Sequence, residues 1–156
     1  MIVFFVATVI SGHTLAKEQD RKISYAISTS LYTQHWNPKP EHNNSQELIG
    51  LERRMGDTAW GAAFFKNSFH QPSQFAYWSK TYRFNSLPEG FRSKVMFGFI
   101  HGYKGEYQNK IPFNQFGIAP AILPTIGYAS RYVEADIVLL AGAAWMVTLT
   151  LPINTG

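Results

Sequence analysis

Two polar residues that can do chemistry, His35 and Ser68, each follow a stretch that alternates like a β-strand. A histidine can take a proton from a hydroxyl near neutral pH, which is the step that prepares an oxygen for acyl transfer. His42 and His70 lie in predicted loops, and His101 lies near a predicted strand end. The alternative is that all five are ordinary loop residues. They form a candidate site only if the fold brings them to one end.

Other chemistries find little support in the sequence. There is no metal-ligand spacing, no glycine-rich phosphate loop and no G-x-S-x-G nucleophile elbow. The absence of cysteine excludes disulfides and thiolate metal sites. A net charge of +4 without a basic stripe favours an anionic lipid over a nucleic acid as partner. We therefore predict no metal, no cofactor and no nucleic-acid partner.

The composition indicates the kind of fold that must position these residues. A chain of 156 residues predicts one domain. Aromatic residues make up 15% of it and charged residues only 15%, against the ~25% charged residues of soluble domains. Many aromatic side chains, little charge and no long apolar run are typical of a transmembrane β-barrel.

Alternation of apolar and small or polar residues predicts eight strands. They are expected at residues 22–31, 46–54, 58–66, 73–84, 91–103, 116–128, 133–140 and 143–151. The apolar stretch 137–151 could also be read as a membrane helix. Its 15 residues fall short of the ~20 that a helix needs, and Gly142 at its middle favours a hairpin. The predicted fold is an all-β, eight-stranded antiparallel transmembrane β-barrel of the outer membrane of a Gram-negative bacterium.

Strand parity assigns the connections to sides of the membrane. With a periplasmic N-terminus, the loops at 34–45, 67–72, 104–115 and 141–142 face outward, and the turns at 55–57, 85–90 and 129–131 face the periplasm. Longer outer loops are the usual asymmetry of such barrels. This assignment places His35 and Ser68 on the same outer side.

The predicted inward faces carry small residues, which would leave a slot for a hydrocarbon chain. An eight-stranded barrel has room only for side chains or one small ligand. The alternative is that large residues elsewhere fill the space, with Phe65, Met96 and Met146 as candidates. The small residues are Ser24, Ala26, Ser28, Ser30, Ala59, Gly61, Ala63 and Gly98.

Two prolines, Pro120 and Pro124, lie in one apolar predicted strand. Proline lacks the N–H that sheet pairing uses and is confined to edges and bulges. A closed barrel has no edge unless one is made. We therefore predict a break in pairing here that admits a lipid sideways.

Residues 1–16 (MIVFFVATVISGHTLA) carry no Lys, Arg, Asp or Glu. They are predicted to be a secretory signal peptide, with 14–16 as the cleavage site, although the usual basic start is missing. The alternative is a buried N-terminal strand. Residues 17–156 are then a single β-barrel domain.

Three segments, in order along the chain, resemble the lipid A palmitoyltransferase (PagP) family. The stretch 61–69 (GAAFFKNSF) is similar to a Phe-Lys-Asp-Ser-Trp segment that follows a Trp-containing strand in that family. Residues 118–128 (IAPAILPTIGY) resemble its Pro-x-x-x-Pro strand, and 144–146 (AWM) match a triplet of its last strand. His35 follows the first strand, as the family's histidine does. The likeness covers roughly residues 30 to 150.

The resemblance implies a monomeric outer-membrane enzyme that moves a palmitoyl chain from a glycerophospholipid to lipid A of lipopolysaccharide. By match, its functional residues are His35 as general base, Ser68 as polar catalyst or nucleophile, and Asn67 as a positioning residue. Asn67 departs from the family's aspartate and cannot carry a charge. The family's selector of acyl length falls on Ser79, and Pro120 and Pro124 belong to the substrate-binding region.

Two other functions stay open at this point. A lipid A deacylase also uses histidine and serine in outer loops and would release a fatty acid. A non-catalytic lipid-binding or structural barrel is favoured by the missing carboxylate at Asn67.

Overall fold

A computed structural model of the protein describes residues 22–153. Within this range the chain forms eight strands and a short 3₁₀ helix, Gly105–Lys110. The strands are β1 (Ile23–His35), β2 (Ile49–Met55), β3 (Thr58–Lys66), β4 (Pro72–Arg83), β5 (Phe91–His101), β6 (Ile118–Ala129), β7 (Glu134–Leu140) and β8 (Ala144–Ile153). The predicted signal peptide at 1–16 lies outside the described residues.

Each strand pairs antiparallel with the next, and β8 pairs with β1, so that the sheet closes into a barrel. The predicted fold class, an all-β antiparallel barrel of eight strands, is confirmed. No helix among residues 22–153 is long and apolar enough to cross a membrane.

The first strand differs most from its prediction, because it ends at His35 rather than Leu31. Its pairing with β8 shifts register between Ser30 and Tyr32, which marks a β-bulge. A bulge inserts one extra residue and so reverses the alternation beyond it. As a result, Thr33 and His35 are buried although they belong to the sequence parity that is exposed earlier in the strand.

The connections differ in length at the two ends of the barrel. Residues 36–48, 67–71, 102–117 and 141–143 connect strands at one end, called here the loop end. Residues 56–57, 84–90 and 130–133 connect them at the other, the turn end. Hydrogen bonds tie the loop-end connections together, including Trp36 N–H to the Ala143 carbonyl at 3.0 Å. The predicted asymmetry of long and short connections is therefore present.

Six charged side chains fill the turn-end half of the barrel interior. Arg54 donates two hydrogen bonds to Glu134, at 2.7 and 2.9 Å, and Arg92 bridges Glu134 and Asp136 at 2.7 and 2.8 Å. The Nζ of Lys94 lies 2.8 Å from Glu52. The sequence prediction of small inward residues that leave a slot for a hydrocarbon chain is thus wrong for this half. Three cations against three anions give a network without net charge, as burial requires.

The loop-end half of the interior is apolar and contains a cavity of about 480 Å³. Tyr77 lies where the two halves meet: its ring is stacked on Phe75, and its hydroxyl donates to Glu52 at 3.2 Å. Gly61 makes room for this ring, since a Cβ at that position would clash with it. The predicted slot is therefore bounded by large residues as well as small ones.

Pairing between neighbouring strands is incomplete at two places in the loop-end half. Strand β6 pairs with β7 only from Thr125 to Ala129, so residues 118–124 have no β7 partner. Strand β1 pairs with β2 only from Ile23 to Thr29. The first gap contains Pro120 and Pro124, as the sequence predicts.

Candidate active site

His35 and Ser68 meet at the loop end, above the interior cavity. His35 is the last residue of β1 and is paired with Ala144 at the start of β8, which holds its backbone in the barrel wall. Ser68 lies in the connection that follows β3. The Nε2 atom of His35 lies 2.9 Å from the Ser68 Oγ, within normal hydrogen-bond distance. The fold thus brings together the two residues that the sequence singles out for acyl transfer.

Asn44 supplies the second hydrogen bond of the His35 ring. Its Oδ1 lies 3.0 Å from His35 Nδ1, and its backbone carbonyl accepts from the Thr33 N–H at 3.0 Å. With the Nδ1 proton directed at Asn44, Nε2 is free to accept the proton of Ser68. The chain Ser68–His35–Asn44 has the connectivity of nucleophile, base and orienting group in catalytic triads.

Asn43 holds the two loops of the site against each other. Its backbone N–H donates to the Ser68 carbonyl at 2.8 Å, and its side-chain Nδ2 donates to the carbonyls of Lys66 and Asn67 at 3.3 and 3.2 Å. The residue is almost fully buried. Because a buried polar group that loses its partners is costly, these bonds fix the position of Ser68 opposite His35.

Asn67, the third predicted site residue, folds the turn that carries Ser68. Its Oδ1 accepts the backbone N–H groups of Phe69 and Gln71 at 2.9 and 3.1 Å, and its Nδ2 donates to the Gln71 side chain at 3.3 Å. The Asn67 oxygen is thus bonded to the backbone, whereas the His35 ring bonds to Asn44 and Ser68. A carboxylate would accept the same two backbone hydrogens, so the missing charge matters less here than the sequence suggests.

Two further aromatic side chains, His42 and Tyr103, lie beside His35 and Ser68. The His42 ring lies 4.3 Å from that of His35, and burial, followed by the repulsion that two protonated rings at this distance would have, lowers the pKa of His42. His42 is therefore neutral at pH 7 and adds no second charge beside the base. Tyr103 lines the interior cavity together with Ser68, and burial raises the pKa of its phenol. Its hydroxyl stays protonated and can donate to an oxygen at Ser68.

The cavity below the pair is lined by both small and large apolar side chains. Ser68 lies at its mouth, and the lining runs down to Glu52, Tyr77 and Lys94. The apolar lining includes Leu48, Ala63, Phe65, Phe75, Met96, Leu123, Val138 and Met146.

The other predicted binding residues fall in two places. Pro120 lines the cavity beside the gap between β6 and β7, and Pro124 is exposed on the outside of the same strand. Ser79 faces inward but does not line the cavity: it pairs with Ala59 and lies two residues beyond Tyr77, toward the turn end. Tyr77, rather than Ser79, thus lines the cavity on this strand.

Sequence reasoning missed Asn43, Asn44 and Tyr103. The run 42–45 (HNNS) lies in the predicted loop 34–45, and its polar side chains, which can all form hydrogen bonds, are the signal that could have indicated Asn43 and Asn44. Within residues 22–153, no group of three or more His, Cys, Asp or Glu side chains is placed to hold a metal ion. His70, although at the same end, is exposed and does not line the cavity.

Neither a protein-family model nor a curated protein sequence matches this chain. The resemblance to lipid A palmitoyltransferases therefore rests on the three collinear segments, and membership of that family stays a prediction.

Proposed function

We propose that the protein is an outer-membrane acyltransferase that moves a palmitoyl or similar chain from a glycerophospholipid to lipid A of lipopolysaccharide. One observation carries this proposal: the hydrogen bond of 2.9 Å between His35 and Ser68 lies at the mouth of an apolar cavity of about 480 Å³. A reactive oxygen with a base and a hydrocarbon-lined cavity beside it suit transfer of a fatty acyl group. The protein acts as a monomer without a cofactor.

The outer surface of the barrel supports placement in a membrane. All eight strands carry an exposed large apolar side chain on the outside, an arrangement that a soluble protein avoids and a bilayer accommodates. One example from each strand in order is Ile27, Leu51, Trp60, Tyr82, Phe99, Ile126, Ile137 and Leu151.

The cavity suits an acyl chain in size and lining. Its volume lies within the ~300–1,000 Å³ of small-molecule pockets. Because a donor chain leaves a bilayer that is as apolar as the cavity, its transfer gains little hydrophobic free energy. The preferred length of the acyl chain must then be set by the shape of the cavity. Extension of the chain into the charged network beside Tyr77, at Glu52 and Lys94, is unfavourable.

The gap between β6 and β7 gives a lipid lateral access to the cavity. Residues 120–123 all line the cavity, although alternate residues of a strand normally point to opposite faces. Leu140 and Ala141 line it from the other side of the gap. The two prolines cannot donate backbone hydrogen bonds, so neither can help to close it.

The contacts suggest a two-step transfer. His35 Nε2 takes the Ser68 hydroxyl proton as Oγ attacks the ester carbonyl of the phospholipid, with Asn44 holding the imidazolium and the Tyr103 hydroxyl donating to the developing oxyanion. The lysophospholipid oxygen leaves with that proton. An acceptor hydroxyl then attacks the acyl-serine, and His35 takes its proton and returns it to Ser68 Oγ.

Mass spectrometry of lipid A from a Gram-negative host with and without the protein tests the proposal. We expect lipid A heavier by one acyl group, with the gain lost in Ser68→Ala and His35→Asn and kept in the loop-end controls Ser45→Ala and His70→Asn. Lipid A that loses an acyl group would instead indicate a deacylase, and unchanged lipid A a lipid-binding or structural barrel. Full acylation by Ser68→Ala would refute the site.

A further inference from the structure

The connection between β5 and β6, residues 102–117, presents two phenylalanines to the outside. Phe113 is 83% exposed and Phe116 is 94% exposed, more than any other large apolar side chain of residues 22–153. Burial of a side chain of this size is favourable, and large apolar groups left bare together mark a surface that another apolar phase or molecule covers. The question is what covers these two rings.

The backbone is left-handed at both phenylalanines, with φ of 58° at Phe113 and 55° at Phe116. This conformation is an outlier for a bulky residue, and residues held in it are concentrated at functional positions. Phe116 and Gly117 form a two-residue turn with positive φ at both positions. The flanking residues, Gln115 and Ile118, exchange two backbone hydrogen bonds at 2.9 and 3.0 Å. Asn, Asp or Gly is the usual first residue of such a turn, so Phe116 is costly here and is left almost fully exposed.

The rest of the connection holds the two rings in place. Asn114, which lies between them, donates from its Nδ2 atom to the carbonyls of Tyr103 and Gln108, at 2.9 Å each. The Lys104 side chain lies against the turn, 3.6 Å from the point that a Cβ on Gly117 would occupy. The exposure of the rings is therefore part of a braced conformation.

The connection continues the apolar outer surface of the barrel. Phe99 of β5 and Ile118 of β6 are exposed at the loop end, directly beside it. Residues 111–113 line the interior cavity together with Pro120, which lies at the gap between β6 and β7. Phe113 thus lies at the opening of the cavity, with most of its surface on the outside.

The charge beside the rings favours lipid over a second copy of the chain. Lys104 is exposed and forms no salt bridge within residues 22–153. A bilayer offers phosphates directly above its hydrocarbon, so it accommodates an ammonium group next to apolar rings. A two-fold contact between copies would put the same lysine on both sides of the interface, where like charges repel.

We infer that Phe113 and Phe116 insert into the bilayer leaflet at the loop end and anchor the connection at the edge of the cavity opening. Lys104 contacts lipid phosphate above them. Residues 111–113 then lie against the lipid beside the cavity. This inference rests on the membrane placement in the proposed function but does not depend on acyl transfer.

The test is fluorescence quenching by lipids brominated in their acyl chains. The natural chain has no cysteine, so one introduced cysteine can carry a nitrobenzoxadiazole label. Gln115→Cys places the label between the two rings and leaves both in position. Ile137→Cys, on the outer face of β7, reports whether the barrel spans the bilayer, and Asn109→Cys is an exposed control in the same connection. In vesicles of phosphatidylethanolamine and phosphatidylglycerol, we expect brominated lipid to quench the labels at 115 and 137 but not the label at 109.

Two further variants show whether the rings cause the insertion. Phe113→Asn/Phe116→Asn should abolish quenching at position 115 and leave it intact at 137. Asparagine adopts the left-handed backbone more readily than phenylalanine, so this loss cannot be assigned to an unfolded turn. Phe113→Leu/Phe116→Leu, the matched apolar control, should keep the quenching at 115.

Each other outcome has a distinct meaning. Quenching at 137 without quenching at 115, or quenching at 115 that persists in the double asparagine variant, overturns the inference and leaves the membrane placement standing. Fluorescence at 115 that responds to the protein-to-lipid ratio instead of to bromine indicates a second copy and also overturns it. Absence of quenching at 137 refutes the membrane placement in the proposed function.

Discussion

Replacement of Asn44 by leucine is the most direct test of how the site is assembled. The Asn44 Oδ1 receives the Nδ1 proton of His35 at 3.0 Å. This bond is between neutral groups before reaction, worth ~0.5–1.5 kcal/mol, and becomes charge-assisted at ~1.5–3 kcal/mol once His35 holds the proton of Ser68. The difference of roughly 1–1.5 kcal/mol is lost only in the transition state, so kcat should fall about tenfold. Since Asn44 does not line the cavity, KM should be unchanged.

The companion variant Asn44→Asp keeps the hydrogen bond and adds a negative charge. An opposite charge at this distance favours the protonated form of a neighbouring base by about 1–3 pKa units. A base must be deprotonated to accept the serine proton, so activity should be lost at low pH and retained at high pH. The acid limb of the kcat profile should therefore move upward by about 1–3 pH units.

The assay is acyl transfer followed across the neutral range, with circular dichroism and thermal unfolding to verify that each variant forms the barrel. Asn109→Leu and Asn109→Asp serve as matched controls, because Asn109 is exposed at the loop end and does not line the cavity. An Asn44→Leu protein with unchanged kcat would refute the orienting role. An acid limb that stays in place in Asn44→Asp would refute the electrostatic part of the reasoning.

Asn67→Asp should retain activity within about twofold, because the carboxylate accepts the same two backbone hydrogens. Asn67→Ala should lose ~1–3 kcal/mol of stability and most of the activity. Thermal unfolding and kcat measure the two effects, and an inactive aspartate variant would contradict the structural role given to Asn67. Arg54→Met should lower the free energy of unfolding by ~3–5 kcal/mol, because Glu134 then loses two of its charge-assisted hydrogen bonds, and Arg54→Lys should lower it less. A loss below ~1 kcal/mol in urea unfolding would contradict a stabilising role of the charged network. Val138→Phe adds four side-chain carbons inside the cavity and should shorten the preferred acyl chain by about as many, measured with donors of graded length. Ile137→Phe, on the outer face, should leave the preference unchanged.

Alternation alone was enough to predict the eight strands and the end of the barrel at which each connection lies. Strand β3 begins and ends as predicted, at Thr58 and Lys66, and β7 differs by one residue at its start. The physical reason is that one face of each strand lines a narrow interior and the other is covered with apolar side chains. The two kinds of side chain therefore alternate along each strand, with a period of two residues that the sequence shows directly.

The charged interior was not predicted, because its charges compensate one another only between residues of different strands. Arg54, Arg92 and Glu134 are far apart in sequence and look like separate charges. Once the barrel closes, they face the same interior and neutralise one another. Local sequence patterns cannot show such compensation.

The sequence by itself determined that His35 and Ser68 lie at the same end of a barrel, because each follows a strand and strand parity is local information. Only the tertiary structure decided that the two side chains touch. The bulge between Ser30 and Tyr32 turns His35 inward, against the alternation of its strand, and Asn43 draws the loop of Ser68 toward it. A one-residue change of register and a buried hydrogen bond between distant loops depend on strand pairing, which the order of residues does not reveal.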